Sequence, residues 1–298
     1  MNNEKTRVAG LSVIAAIFLT GIKLIVGLLT GSLGIISEAL HSGLDLVAAV
    51  ITWFSVRVSD KPADKEHHYG HGKIENLSAL IETLLLLITC VWIVYEAITR
   101  LLSGNTKIEV NVWSYIIVIT SIIIDYTRSR ALYKVAKKYN SQALEADALH
   151  FSTDIWSSSV VLVGLVFAHF GYFYADSIAA LIVAVIVTMI SYKLGRKAIE
   201  ILLDTAPNAL VDDVRKFVGS LDEISYFHDL KIRVSGADTF INLTVHLNPN
   251  LSLKEAHEIS HHIEELIIEK IPRCEVHIHY EPEDENRLVQ NSSAPKEL

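Results

Sequence analysis

Cysteine is nearly absent: Cys90 and Cys274 are the only two in 298 residues. Cys90 sits in an apolar run and Cys274 in a polar one, so no disulfide between them is expected. Nor is there a cysteine cluster to hold an iron–sulfur centre or a structural zinc. A surplus of positive charge is missing as well. Lys and Arg total 26 against 34 Asp and Glu, a formal net charge of −8. Phosphate binding needs clustered Lys and Arg, so nucleic acid is not an expected partner. No small-residue cleavage site follows the first apolar run, which is therefore expected to remain in the protein and not to leave as a signal peptide. Long apolar runs are also lacking after Pro207, where the chain turns charged and His-rich. That shift divides the chain into a membrane domain at 1–206, a small polar domain at 207–284 and a disordered tail at 285–298.

What is present lies before that boundary. Hydrophobic residues make up 51% of the chain and mean hydropathy is +0.36. A helix needs about 20 mostly apolar residues to cross the hydrocarbon core. Six stretches qualify: 8–30, 33–58, 74–102, 112–132, 143–170 and 175–194. No single soluble core would hold all six. Lys and Arg concentrate before the first span, between spans two and three, between four and five, and after six. The opposite side has only Arg100 and Lys107. Cationic loops stay inside, which predicts both termini in the cytoplasm. The polar domain reads as α-β-β-α-β: a helix at 211–221, strands at 224–234 and 239–247 joined by a turn at 235–238, a helix at 252–270, and a strand at 275–280. Ser252 with Glu255 makes a capping box for the second helix. The predicted fold class is membrane α-helical, six transmembrane helices followed by a small cytoplasmic α+β domain.

The chemistry-bearing signal is a repeat. Span two contains Glu38-Ala-Leu-His41-Ser-Gly-Leu-Asp45, and span five contains Asp147-Ala-Leu-His150-Phe-Ser-Thr-Asp154. Residues i and i+4 share a helix face, so each span presents one imidazole and one carboxylate together. The two spans run in opposite directions, which sets His opposite Asp. Two nitrogens and two oxygens around one point suit four-coordinate Zn²⁺. Packing glue is the competing reading, but one ionisable group at the membrane centre costs about 2.5–3.5 kcal/mol, and there are four in matched pairs. Glu38 and Asp147, one turn earlier, either orient the imidazoles or attract cations at a mouth. Gly43 offers a place for close helix approach, and Asp125 with Arg128 and Arg130 reads as a helix-end ion pair.

With these motifs the chain resembles the cation diffusion facilitator family, over nearly its whole length. The loop Pro62-Ala-Asp64-Lys-Glu-His67-His68-Tyr-Gly-His71-Gly-Lys73 resembles that of the bacterial zinc/iron efflux branch. The resemblance implies a homodimer in the inner membrane with a metallochaperone-like cytoplasmic domain. It implies export of Zn²⁺, or of Cd²⁺, Fe²⁺, Co²⁺ or Mn²⁺, in exchange for protons. The transport site maps to His41, Asp45, His150 and Asp154, and a loop site maps to Asp64, His67 and His71. In the cytoplasmic domain, where metal has a regulatory part, the matching ligands are His228, His257, His279 and Glu281. One expected ligand is replaced by Thr244, and His246, two residues on along the same strand face, is the candidate substitute. Lys73 and Asp204 match an ion-pair interlock between membrane domain and tail across the dimer. His41 departs from the nearest branch, which more often has Asp there, and this weighs against iron.

Proton exchange also has a physical rationale. Zn²⁺ with two carboxylates and two neutral imidazoles sums to zero charge, whereas the empty site leaves two bare carboxylates at low dielectric. Protons replace the metal most simply. The rival reading is a membrane-tethered zinc metalloprotease, because His257-Glu258-Ile-Ser-His261 matches His-Glu-x-x-His on a predicted helix. Against it stand a domain of about 75 residues, with little room for a cleft, and the unexplained intramembrane pairs. Cys274, His262 and His277 are expected to be structural or ordinary surface residues.

Overall fold

The computed structural model describes residues 3–30, 33–103, 112–169, 174–221, 223–271 and 273–283. The segment expected to be disordered, 285–298, lies outside them. Two compact units emerge, Met1–Ile199 and Glu200–Leu298.

The first unit is built from α1 (Asn3–Thr30), α2 (Leu33–Ser59), α3 (Lys73–Ser103), α4 (Val112–Tyr139), α5 (Gln142–His169) and α6 (Tyr174–Leu202). Each has 27 to 31 residues. At about 1.5 Å per residue each is about 40 Å long or more, beyond the roughly 30 Å hydrocarbon core. Among the described residues, stretches of α1, α2 and α3 are long and apolar enough to cross a membrane by composition alone. None of the six helices contains proline.

The helices extend past the predicted spans, most of all at the ends of α4 and α6. Residues 133–139, which fall between predicted spans four and five, are helical. Hydropathy marks where a helix leaves the apolar layer, not where it stops. With no Gly or Pro to break it, the helix continues into water on Lys, Arg, Ala and Leu, which are good helix formers.

Burial in this unit is inverted relative to a soluble protein. Leu29, Leu28, Ile14, Val91, Trp92, Tyr95 and Met189 face outward. Inward lie Ala9, Ala16, Ala48, Ala49, Ala143, Ala146, Ala148 and Ala198, together with Ser, Thr and charged groups. Small residues let helix backbones approach closely, and polar ones must find partners inside because lipid offers none. At one end of the bundle Lys5 Nζ pairs with Asp60 Oδ1 at 2.6 Å and donates to Glu75 Oε1 at 3.0 Å. Ser59 and Ser141 donate to the two oxygens of the same Glu75. This buried knot ties α1, the end of α2, and the starts of α3 and α5.

The second unit contains α7 (Asn208–Val218), β1 (Tyr226–Ser235), β2 (Asp238–Leu247), α8 (Leu253–Lys270) and β3 (Cys274–Pro282). The sheet order is β1-β2-β3, antiparallel between the first two and parallel between the last two. Phe227, Ile241, Leu243, Val245, Leu247 and Val276 face α7 and α8 and form the core with Val214, Val218, Ala256, Ile263 and Ile267. The capping box forms as expected: Ser252 Oγ accepts from Glu255 N, and Glu255 Oε2 accepts from Ser252 N. Alternation on the strands then puts His228, Thr244, His246, His279 and Glu281 on the sheet face away from this core.

Candidate functional site

Inside the helix bundle, α2 and α5 meet at the repeated motif. His150 Nε2 lies 3.0 Å from Asp45 Oδ1, and His41 Nε2 lies 3.8 Å from Asp154 Oδ1. Each imidazole faces the other helix's carboxylate, as antiparallel i, i+4 pairs require. His150 also approaches Asp154 Oδ2 at 3.7 Å within its own helix. His41, Asp45 and Asp154 each offer one ligand atom within 4.8 Å of the others'. His150 is buried against this group, and Phe151 meets its ring edge-on with centroids 5.5 Å apart.

The surroundings of this site hold further charge. Lys23 Nζ on α1 donates to Ser42 Oγ at 2.8 Å, next to His41 in sequence. Arg128 reaches Asp125 at 3.3 Å, donates to Ser12 Oγ, and lies 3.5 Å from the centroid of the Phe151 ring. Asp125–Arg128 is thus an ion pair, but not the helix-end pair expected: both residues are buried because Arg128 points to α1 and α5. Asp147 accepts from Ser12 Oγ at 3.4 Å and is fully buried, so it is no mouth residue in this structure. Glu38 stands on α2, its side chain outside the described residues. Gly43 does not serve close packing within one protomer: among the described residues nothing comes within 4 Å of where its Cβ would stand.

The loop between α2 and α3 folds around Asp64. Its Oδ1 accepts from the backbone N–H of His67 at 2.7 Å and of Glu66 at 2.9 Å. These bonds hold its carboxyl at about 2, well below the usual carboxylate range. The turn they support is therefore fully favoured above the ordinary Asp pKa and is lost only as pH falls through about 2. His67 Nδ1 lies 3.2 Å from Asp64 Oδ1, and His71 Nε2 lies 3.4 Å from Asp64 Oδ2. The two rings are 4.4 Å apart. Gly70 takes φ +71° to turn the chain between them, a conformation that costs other residues strain.

In the second unit, Glu281 is the hub. His246 Nε2, His228 Nε2 and His279 Nε2 lie 3.6, 3.9 and 3.4 Å from its carboxylate. Nε2 of both His228 and His246 is buried without a hydrogen-bond partner among the described residues. The register explains the grouping: His228, Thr244 and His279 occupy one rung across the sheet, and Tyr226, His246 and Glu281 the next. His246 therefore sits one rung from Thr244 on the same face. His257 is not brought into this group. It lies exposed on α8, on the helical layer that covers the opposite face of the sheet. Burial pushes the Cys274 thiol up to about 11, so it stays protonated near neutrality. His262 and His277 are exposed.

Two family models match the chain. The cation efflux transmembrane domain covers residues 10–203, and the cytoplasmic domain of cation efflux proteins covers residues 206–283. The chain belongs to the cation efflux family. An uncharacterized transporter of Methanocaldococcus jannaschii is 34% identical over 271 residues, 90% of this chain and 95% of that protein. The cation-efflux pump FieF of Salmonella agona is 29% identical over 291 residues, 95% of each chain. As a cation efflux protein the chain is a membrane transporter of metal cations and not an enzyme. The His257-Glu258-x-x-His261 match is accordingly no protease motif; both histidines lie exposed on α8.

The sequence reading passed over several buried charges of this cation efflux protein: Lys5, Lys23, Glu75 and Glu82. Lys5 and Glu75 lie near helix ends and look ordinary in sequence, whereas Lys23 stands between Ile22 and Leu24 inside the first apolar run, a visible signal. Glu82 had a signal too, an acid directly before the apolar run Thr83-Leu-Leu-Leu-Leu-Ile88.

Proposed function

We propose that this transporter exports Zn²⁺ from the cytoplasm in exchange for protons. It binds the ion between His41, Asp45, His150 and Asp154 and exposes that site to each side in turn. The observation carrying this reading is that α2 and α5 set each His against the other's Asp inside a bundle whose outer surface is apolar. Two imidazoles favour Zn²⁺, Co²⁺ or Cd²⁺ over Mn²⁺ and Mg²⁺, which prefer oxygen. The protein is a homodimer in the inner membrane with both termini cytoplasmic, and its domains meet near residue 206. Asp64, His67 and His71 hold a second metal in the loop, and His228, His246, His279 and Glu281 hold a regulatory one in the tail, with His257 contributed across the dimer. Flux measured in proteoliposomes across Zn²⁺, Cd²⁺, Co²⁺, Fe²⁺ and Mn²⁺ tests the function. Transport of none of them removes it.

The nitrogen donors carry a prediction of their own. His41→Asp trades a nitrogen for a harder oxygen and shifts the flux ratio towards Fe²⁺ and Mn²⁺. An unchanged Zn²⁺/Mn²⁺ ratio removes His41 from the ligand set.

Lys73 opens α3 and Asp204 follows α6 with φ +62°. The proposed interlock between them makes Lys73→Ala and Asp204→Ala non-additive in dimer stability. A solvated pair is worth at most about 1 kcal/mol, and additive losses in the double-mutant cycle dismiss the interlock.

A further inference from the structure

Glu82 is the least explained group in the membrane unit. It stands on α3 with no exposed surface. Its Oε1 accepts from the hydroxyls of Thr52 on α2 and Ser78 one turn earlier on α3. Its Oε2 is buried with no hydrogen-bond partner among the described residues. No Lys or Arg among the described residues pairs with it, unlike Glu75, which has Lys5. Asp147 and His150 on α5 lie near enough to act on its charge. Asp147 is also fully buried, and its Oδ1 likewise has no hydrogen-bond partner among the described residues. From α2 comes the Thr52 hydroxyl, and α6 meets this stretch of α3 through Gly195 against Thr83.

A carboxylate fixed there would have two hydroxyl donors and no cation, a costly state at low dielectric. A carboxylic acid would fit: Oε1 accepts, and the otherwise idle Oε2 carries the proton. Position adds a direction. Thr52 lies seven residues past Asp45, about two helical turns, towards the end of α2. Asp147 precedes His150 by one turn, towards the start of α5. Glu82 is nine residues from the start of α3 at Lys73. All three therefore lie between the metal site and the bundle end where Ser59, Lys73 and Gln142 stand. Ser55, which donates to Ile74 O, and the Glu75 knot continue the polar column to that end.

We propose that Glu82 is a proton-carrying group of the transport cycle, separate from the metal ligands, placed between the metal site and the cytoplasmic end of the bundle. The proposal rests on the proton-exchange reading above. Metal arriving between α2 and α5 brings two positive charges close to Asp147 and Glu82. The proton on Glu82 Oε2 then leaves along the column, and an equivalent proton returns when the metal departs; no other bond changes. Among the described residues Glu82 makes its hydrogen bonds with Thr52 and Ser78 and not with a metal ligand. It is a coupling residue, and Asp147 is the charge through which it senses the site.

The test uses the full-length protein in proteoliposomes, with Zn²⁺ flux and proton counterflow recorded together over a range of pH. Zn²⁺ binding to the purified protein is the control for an intact metal site. In Glu82→Gln, which keeps an acceptor for Thr52 and Ser78, Zn²⁺ still binds. The proton-to-metal ratio falls by about one, since one titrating group is gone, and the pH profile of flux flattens. Glu82→Asp restores the ratio with a displaced profile. Glu82→Gln with the wild-type ratio and profile overturns the proposal and leaves proton exchange standing. A wild type that moves Zn²⁺ without protons overturns proton exchange itself. If Glu82→Gln does not incorporate, Glu82→Asp decides alone: an undisplaced profile overturns the proposal.

Discussion

Asp45→Ala abolishes metal flux, and so does Asp154→Ala, while each variant still inserts and dimerises. Asp45 is the carboxylate 3.0 Å from His150, and Asp154 faces His41 at 3.8 Å and His150 at 3.7 Å. Removing either takes one of two negative charges and one oxygen donor from a dication's binding site. The loss exceeds the about 10–100-fold typical of losing a group that merely supports a ligand, so flux falls to the level of empty vesicles. Size-exclusion chromatography of the purified variants separates this outcome from misfolding. Normal Zn²⁺ flux in either variant removes the proposed transport site.

The second large effect is expected in the tail. A piece spanning 207–285 has its own core around Phe227, Ile241, Val245, Ile263 and Ile267, and it binds Zn²⁺ in calorimetry. His246→Ala or His228→Ala abolishes that binding, because both present a buried, unpartnered Nε2 to Glu281. Metal also strengthens tail–tail association: binding to the associated form alone stabilises it by about 2.7 kcal/mol at a hundred times Kd. Absence of binding above a His257→Ala, His279→Ala double variant removes the tail site. Binding unchanged by His246→Ala keeps the site but returns His246 to an ordinary strand residue.

Much of this architecture is legible in the sequence because two periodicities are strong. The i, i+4 spacing of His41 with Asp45 and of His150 with Asp154 sets the shared faces, and antiparallel helices then leave one way to join them. Period-two alternation likewise puts His246 on the same strand face as Thr244. Less legible is what depends on neighbours far apart in sequence. Nothing near Arg128 says that it reaches Ser12, 116 residues away. Nothing near Lys5 says that Glu75, 70 residues on, is its partner. The end of α4 runs past its predicted span for a different reason, since charge and helix breaking are separate properties. His257 shows the converse: its correspondence to a family ligand is a matter of alignment, while α8 holds it on the far layer of the protomer, so any role beside Glu281 requires a second copy.

The central claim is that one metal site between α2 and α5 exchanges metal for protons across the membrane. The direct measurement loads proteoliposomes with a pH-sensitive dye, imposes a Zn²⁺ gradient without any other ion gradient, and follows internal pH and Zn²⁺ together. The account predicts opposite movements of protons and Zn²⁺ at a fixed ratio in the wild type, and neither in Asp154→Ala. Zn²⁺ flux with no pH change, or a coupled flux that survives Asp154→Ala, contradicts it.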